Sequence, residues 1–209
     1  DVYKRQVSLA TKAAEATKRY LSESEARAAE EAARRIQSAS EETALSRTLI
    51  ELVRRGSGFH HAGLDASQRR IVEEAFRSGV IKVLAATPTL AAGVNLPARR
   101  VVIASLMRYE SEYGGQTPIS VLEYKQMCGR AGRPKFDEVG ETVIIASNHM
   151  EAEDIMENYI HGKPERINSH LTDEGALRAQ ILATITGFPA MSEDDLTDLF
   201  SKTLFAIQY

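Results

Sequence analysis

Apolar positions follow two different periods along this chain. Between Glu41 and Arg55 they recur as Leu45, Leu49, Leu52 and Val53, one stripe of a helix that Gly56 closes. Asp65 caps a second such stretch through Ser78, with Ile71, Ala75 and Phe76 turned inward and Gly79 as the stop. Val7 to Ser38 is crowded with Ala, Glu, Lys and Arg and predicts two helices on either side of Leu21 and Ser22, with a thin apolar face. Val80 to Ala86, broken only by Lys82, and Val101 to Leu106 are instead near-continuous apolar runs, the mark of strands buried on both faces of a parallel sheet. Gly58 to His61 and Thr142 to Ala146 add shorter strands.

Strands alternating with helices place the chain in the α/β class, with right-handed crossovers between parallel strands. Pro88 to Ala92 leaves room for a helical turn or two, and Arg108 to Val121, which contains Gly114-Gly115, predicts a β-hairpin. The character changes after about Gly162. Lys163-Pro164-Glu165 reads as a linker to two amphipathic helices, Asp173 to Thr186 and Ser192 to Ile207, joined by Gly187-Phe188-Pro189. In the second, Leu196, Leu199, Phe200, Thr203, Leu204 and Ile207 share one stripe, and the pair fits the start of a helix-turn-helix or winged helix. Asp1 to Gln6 match no element, and both ends of the chain read as cuts.

Length and charge narrow this picture. With 209 residues, 43% of them hydrophobic, the chain can bury one generous core or a core with a small companion. A net charge of −3 excludes a polycation that grips nucleic acid everywhere, so any such contact must be local. The single cysteine, Cys128, can close no internal disulfide and build no structural zinc site, which points to a reducing, intracellular setting. No apolar run is long enough to span a bilayer as a helix.

The strongest chemical signal is Gln126-Met127-Cys128-Gly129-Arg130-Ala131-Gly132-Arg133-Pro134. On a helix from Ser120 to Arg133, Gln126, Arg130 and Arg133 would lie within an arc of about 60°. Two guanidinium groups a turn apart suit a cluster of anionic oxygens such as a γ-phosphate in transfer. The alternative is a solvated basic helix end that complements its own dipole. Gly129 and Gly132, each costing about 1 kcal/mol inside a helix, signal a close approach of backbone. A second signal, Ala86 to Pro97, follows a strand, and Thr87 with Pro88 forms a helix start whose amides could take a nucleic-acid phosphate; an ordinary capped turn is the alternative. Phe59-His60-His61-Ala62-Gly63-Leu64 is weaker, because paired histidines without carboxylate or cysteine partners seldom hold a metal.

Taken in order, these three stretches resemble the fourth-a, fifth and sixth motifs of superfamily 2 helicases of the Ski-like branch. The lead-in Tyr124-Lys125-Gln126-Met127, the hairpin, and the tail from Leu177-Arg178 through Gln208-Tyr209 are most similar to archaeal ATP-dependent DNA repair helicases of the Hel type, kin of the helicase part of DNA polymerase theta. The resemblance implies a second RecA-like motor domain over residues 7–162, a parallel sheet with flanking helices, and a truncated winged-helix start over residues 163–209. It implies that Gln126, Arg130 and Arg133 face the ATP γ-phosphate, and that Gly93 and Asn95 couple strand to nucleotide. Thr87 and Pro88 would touch the nucleic-acid backbone, His60 and His61 would lie beside the tracking strand, and Tyr109 to Thr117, with Tyr113 at its tip, would separate strands. The Met127-Cys128 pair departs from the small residue often found before Gly129.

No phosphate-binding Gly-x-x-x-x-Gly-Lys-Ser/Thr loop and no Asp-Glu-x-His-like magnesium run occurs in the sequence, nor does the opening strand that the resemblance implies before Val7. ATP and Mg2+ are therefore expected to sit mainly on a first motor domain outside this sequence. The expectation is a monomeric, cytoplasmic motor half of a 3′-to-5′ DNA helicase working on single-stranded and forked DNA, nucleoid-associated if archaeal. A Ski-like RNA helicase shares all three motifs, and a stand-alone nucleic-acid-binding module is the reading of another class.

Overall fold

The computed structural model describes residues 2–87, 96–110, 115–133 and 137–209, and the side chains at 2, 3, 109 and 110 lie outside that description. By internal packing the chain divides into Asp1–Pro164 and Glu165–Tyr209. The first unit opens with α1 (Val2–Thr17), α2 (Glu23–Ala39), α3 (Ala44–Arg54), β1 (Ser57–His60), α4 (Ala66–Arg77) and β2 (Val83–Ala86). Val2 to Gln6, which match no element by sequence, are thus the start of α1. Gln6 is buried there, and the Arg5 guanidinium donates to the Ala104 carbonyl at 2.9 Å.

Caps set the helix starts. Ser22 accepts from the Glu25 N–H while the Glu25 carboxylate accepts from Ser22, and the Lys82 ammonium bonded to that carboxylate holds its pKa down at about 2. A second reciprocal cap, Thr43 with Ser46, starts α3 three residues later than the apolar stripe alone suggests. Asp65 with Gln68 does the same for α4. Fully buried Ala10 and Ala14 let α1 lie close to β1, where the Ser57 hydroxyl donates to the Ala10 carbonyl at 2.8 Å. The core between these elements is built from Ile36, Leu49, Val53, Phe59, Val72 and Ile81.

β1 and β2 pair in parallel from Ser57↔Val83 to His60↔Ala86. The chain continues through β3 (Arg100–Ile103), β4 (Met107–Glu110), β5 (Gly115–Pro118), α5 (Val121–Cys128) and β6 (Glu141–Ile144). After these comes α6 (His149–Ile155), which runs into a π-helical turn at Met156–Ile160. β3 and β6 are parallel, and β4 and β5 form the expected antiparallel hairpin. Among the described residues β1–β2 and β3–β6 are two separate pairs, where the apolar runs suggested one sheet buried on both faces. The reason lies in the pleat: Val101, Ile103 and Ile144 turn to Ile119, Tyr124 and Tyr159, while Val102, Val143 and Ile145 on the opposite face are 54%, 41% and 59% exposed.

The second unit holds a 3-10 turn (His170–Thr172), α7 (Glu174–Gly187), α8 (Glu193–Ser201) and α9 (Leu204–Gln208). The stripe from Leu196 to Ile207 does not ride on one helix, because Thr203 takes an extended conformation and its hydroxyl bonds back to the Phe200 carbonyl at 2.7 Å. Gln208 ties α9 to the chain before α7, donating to the Ile167 carbonyl and accepting from the Ser169 N–H. No helix among the described residues is long and apolar enough to cross a membrane.

The packing predicts unequal costs for one chemical deletion. Leu49→Ala, at a site with no exposure, should cost about 2–5 kcal/mol, and Leu9→Ala, at a position 39% exposed on α1, under about 1 kcal/mol. Urea unfolding of both variants checks this, and equal midpoints would mean that Leu49 is not in the core.

Candidate functional site

The segment carrying Gln126, Arg130 and Arg133 is not a single helix. α5 is capped at its start by Ser120, whose hydroxyl accepts from the Glu123 N–H, and its last residue, Cys128, is followed by the cap Gly129. Beyond it the chain makes a turn, with the Arg130 and Ala131 N–H groups bonded back to the Met127 and Cys128 carbonyls, and then meets Ala98: Ala98 N–H donates to the Arg130 carbonyl at 2.9 Å, Gly132 N–H donates to the Ala98 carbonyl at 2.7 Å, and Ala98 and Ala131 form a parallel bridge. Gly132 has φ +91°, a conformation that side chains resist. The expected 60° helical arc is therefore replaced by an ordered strand-like turn, and Arg130 and Arg133 hang from it rather than from α5. The close approach signalled by the two glycines is met at Gly132 and by Gly140, a residue the sequence reading passed over. A Cβ on Gly140 would stand 2.4 Å from the Ala131 carbonyl carbon, so position 140 tolerates no side chain without a shift of backbone.

Arg133 is gripped from one side. Its Nε donates to Asp137 Oδ2 at 2.8 Å, its Nη2 to Oδ1 at 2.9 Å, and its backbone N–H to Oδ2 at 2.9 Å. The hydrogen bonds from Arg133 are the main reason that the Asp137 carboxyl is held at about 2, with the charge of Arg99 adding to them. Arg130 is half-buried and Gln126 exposed. α5 itself is braced from behind: Tyr124 meets the Tyr159 ring edge-on at 5.7 Å, the Tyr159 hydroxyl donates to the Ile119 carbonyl, and Lys125 Nζ donates to the Ile160 carbonyl. Burial, more than its bond with Cys128, pushes the Tyr124 hydroxyl up to about 12.

The second cluster sits at the carboxyl ends of β1 and β2, the side on which α/β sheets take ligands. Thr87 N–H donates to the His60 carbonyl at 3.4 Å, which brings the first and second signal stretches together. Both histidine rings are buried, at 7% and 2% exposure, so neither ring forms the surface that a nucleic acid would meet. His60 Nε2 pairs with Glu73 Oε1 at 3.0 Å, and His61 stacks on Phe59 at 5.3 Å and accepts from the Gly63 N–H through Nδ1. What faces solvent is the Ala62–Gly63 turn that these rings shape. Glu73, Asp137 and Tyr159 carried no motif signal; only the four-residue step from Arg133 to Asp137 hinted at a pair.

Pro88, Gly93, Asn95 and Tyr113 lie outside the described residues, and so does the Tyr109 side chain, whose backbone pairs with Gln116 in the hairpin. Among the described residues no group of three or more His, Cys, Asp or Glu could hold a metal ion. The donor chemistry at Gln126, Arg130 and Arg133 fits nucleotide phosphates, since guanidinium forks stay charged and pair with phosphate oxygens.

Residues 19–135 match the helicase conserved C-terminal domain. The chain is 49% identical over 182 residues to the ATP-dependent DNA helicase Hel308 of Pyrobaculum calidifontis, covering 87% of this chain and 26% of that protein. It is 51% identical over 167 residues to the protein of the same name from Methanocella arvoryzae, covering 80% of this chain and 22% of the relative. The Pyrococcus horikoshii relative of that name is 47% identical over 168 residues, or 80% of this chain and 23% of the relative. The chain thus spans about a quarter of the length of the curated relatives it matches.

The burial of His61 has a pH signature. Desolvation, and then the charge of His60, lowers its pKa below the ordinary 6.5, so the unfolded chain binds the proton first. Its contribution is full above about pH 6.5 and is lost as pH falls from there toward the folded value. Urea midpoints at about pH 7.5 and 5.5 should differ less in His61→Gln than in the parent protein; equal differences would assign the loss to other groups.

Proposed function

The chain belongs to the helicase conserved C-terminal domain family, and from that premise we propose that it is the arginine-donating half of an ATP-dependent 3′-to-5′ DNA helicase motor acting in fork repair or recombination. The observation that carries this reading is the pinned segment Arg130–Arg133, held between Ala98 and Gly140, which fixes two guanidinium-bearing residues on ordered backbone at a strand end. In the complete motor, Arg130 and Arg133 stabilise the charge that gathers on the γ-phosphate during transfer, with Gln126 beside them on α5. ATP and Mg2+ are held mainly by a first motor domain, and Gly93 and Asn95 couple nucleotide state to the strand.

Thr87 and Pro88 take a phosphate of the tracking strand at the carboxyl ends of β1 and β2, and the Ala62–Gly63 turn, shaped by His60 and His61, lies alongside it. The hairpin β4–β5, with Tyr109 and Tyr113, wedges the duplex. Residues 7–162 form the second RecA-like domain, and residues 163–209 begin a winged helix. The similarity to proteins named DNA helicases supports DNA over RNA as the substrate.

Arginine chemistry gives the direct test. In the complete chain, Arg133→Ala should lower DNA-stimulated ATP turnover by about 10³- to 10⁵-fold while leaving DNA affinity nearly intact. Arg133→Lys should restore little, because a point charge cannot reproduce the fork. Wild-type turnover in Arg133→Ala would remove the arginine-donor reading.

The hairpin separates unwinding from ATP hydrolysis. Stacking of a terminal base on Tyr113 would be worth about 1–3 kcal/mol, comparable to a mean stacking step of about 1.4 kcal/mol. Replacing residues 110–116 with a short Gly-Ser turn should therefore keep DNA-stimulated hydrolysis and sharply reduce opening of a fluorescent forked duplex. Equal unwinding at matched hydrolysis rates would show that the hairpin is not the wedge.

A further inference from the structure

Asp137 lies outside the motif that carries the arginines, yet it makes more contacts to Arg133 than a surface partner would. Its two carboxylate oxygens receive three donors from that one residue, Nε, Nη2 and the backbone N–H, and its own N–H donates to the Arg133 carbonyl at 3.0 Å. The exposures of the two side chains differ: Asp137 is 8% exposed and Arg133 is 46% exposed. The anion is thus sheltered against the protein while the guanidinium reaches outward.

The geometry of the fork decides what this can do. A guanidinium has five N–H donors in one plane, and a carboxylate can take it side-on, through Nε and Nη2, or end-on, through Nη1 and Nη2. Asp137 takes it side-on. A phosphate arriving at the end-on edge would meet a guanidinium whose plane and side-chain torsions are already fixed, without displacing the carboxylate. We propose that Asp137 is the positioning residue for Arg133, holding the guanidinium side-on so that its outer edge is presented to the terminal phosphate of a nucleoside triphosphate.

Two other features support a permanent grip. The carboxyl is held at about 2, so it remains an anion at any pH at which the protein works. The backbone on either side is fixed, by the Ala98 bridge before Arg133 and by the close crossing of Gly140 after Asp137. The role resembles that of the carboxylates that orient metal-bound histidines, in which the outer partner sets direction and leaves the chemistry to the residue it holds.

This inference rests on the arginine-donor reading, and a double-mutant cycle in the complete chain separates the two. Asp137→Asn should lower the DNA-stimulated kcat for ATP by about 10- to 100-fold, the usual cost of losing such an orienting partner. The KM for ATP should move by much less, and the melting temperature of the variant should stay near the parent's. In an Arg133→Ala background the same substitution should lower kcat by no more than about twofold, because the residue it positions is gone. Asp137→Ser carries the same expectations should the Asn variant fail to fold. A collapse with Arg133→Ala, accompanied by unchanged or raised kcat in Asp137→Asn, or by an undiminished effect in the double variant, would overturn the positioning role alone. Unchanged turnover in Arg133→Ala would instead overturn the reading beneath it.

Discussion

The constraint on which the site depends is a crossing of two backbones with no room for a side chain. Ala131 and Gly132 pass so close to Gly140 that a single added Cβ would overlap the Ala131 carbonyl, and on the other side Ala98 closes two hydrogen bonds onto the same segment. A helix continued through Arg133 could not make the bond from Gly132 to the Ala98 carbonyl, because that amide would be spent on the Cys128 carbonyl one turn back. α5 therefore ends at Cys128, and the positive φ of Gly132 turns the chain so that Arg133 meets Asp137. Helix end, bridge, glycine and ion pair are one solution to one packing requirement.

The rest of the first unit serves to hold that crossing in place. β3 and β6 enter it from below, with the Arg100–Glu141 ion pair at their shared start. Tyr124, Tyr159 and Ile103 fill the space behind α5. The larger core around Phe59, Leu49 and Ile36 does a different task, fixing the carboxyl ends of β1 and β2, where Thr87 is bonded to His60. Two cores thus support the two clusters of candidate residues, and the stretch of chain between them, residues 88–95, carries Gly93 and Asn95.

Much of this was legible in the sequence, for identifiable reasons. Period located α2 and α3 and the Asp65 cap located α4, while Ser22 and Thr43 set the starts of α2 and α3 through backbone within three residues of each. Gly114-Gly115 announced the hairpin for a similarly local reason. Local signals failed where a distant backbone decides: nothing within Ser120 to Arg133 says that Ala98 will compete for its amides, so the helix was expected to run too far. The same blindness hid Gly140, Tyr159 and Glu73, whose partners lie far along the chain. The resemblance put His60 and His61 beside the tracking strand, and the fold uses their rings as packing and as a brace against Glu73, leaving the Ala62–Gly63 turn to face solvent.

Two contacts outside the crossing link the site to the hairpin. Arg108 on β4 reaches Glu123 on α5 at 2.9 Å, and the Ile119 N–H donates to the Leu106 carbonyl at 2.8 Å just where β5 passes into that helix. The hairpin is consequently tied to α5 through Arg108 and closed at its roots by the bond between Ile119 and Leu106. A change in the direction of α5 would therefore carry Arg108 and the described strands of the hairpin with it, and α5 is also the helix that leads into the arginines.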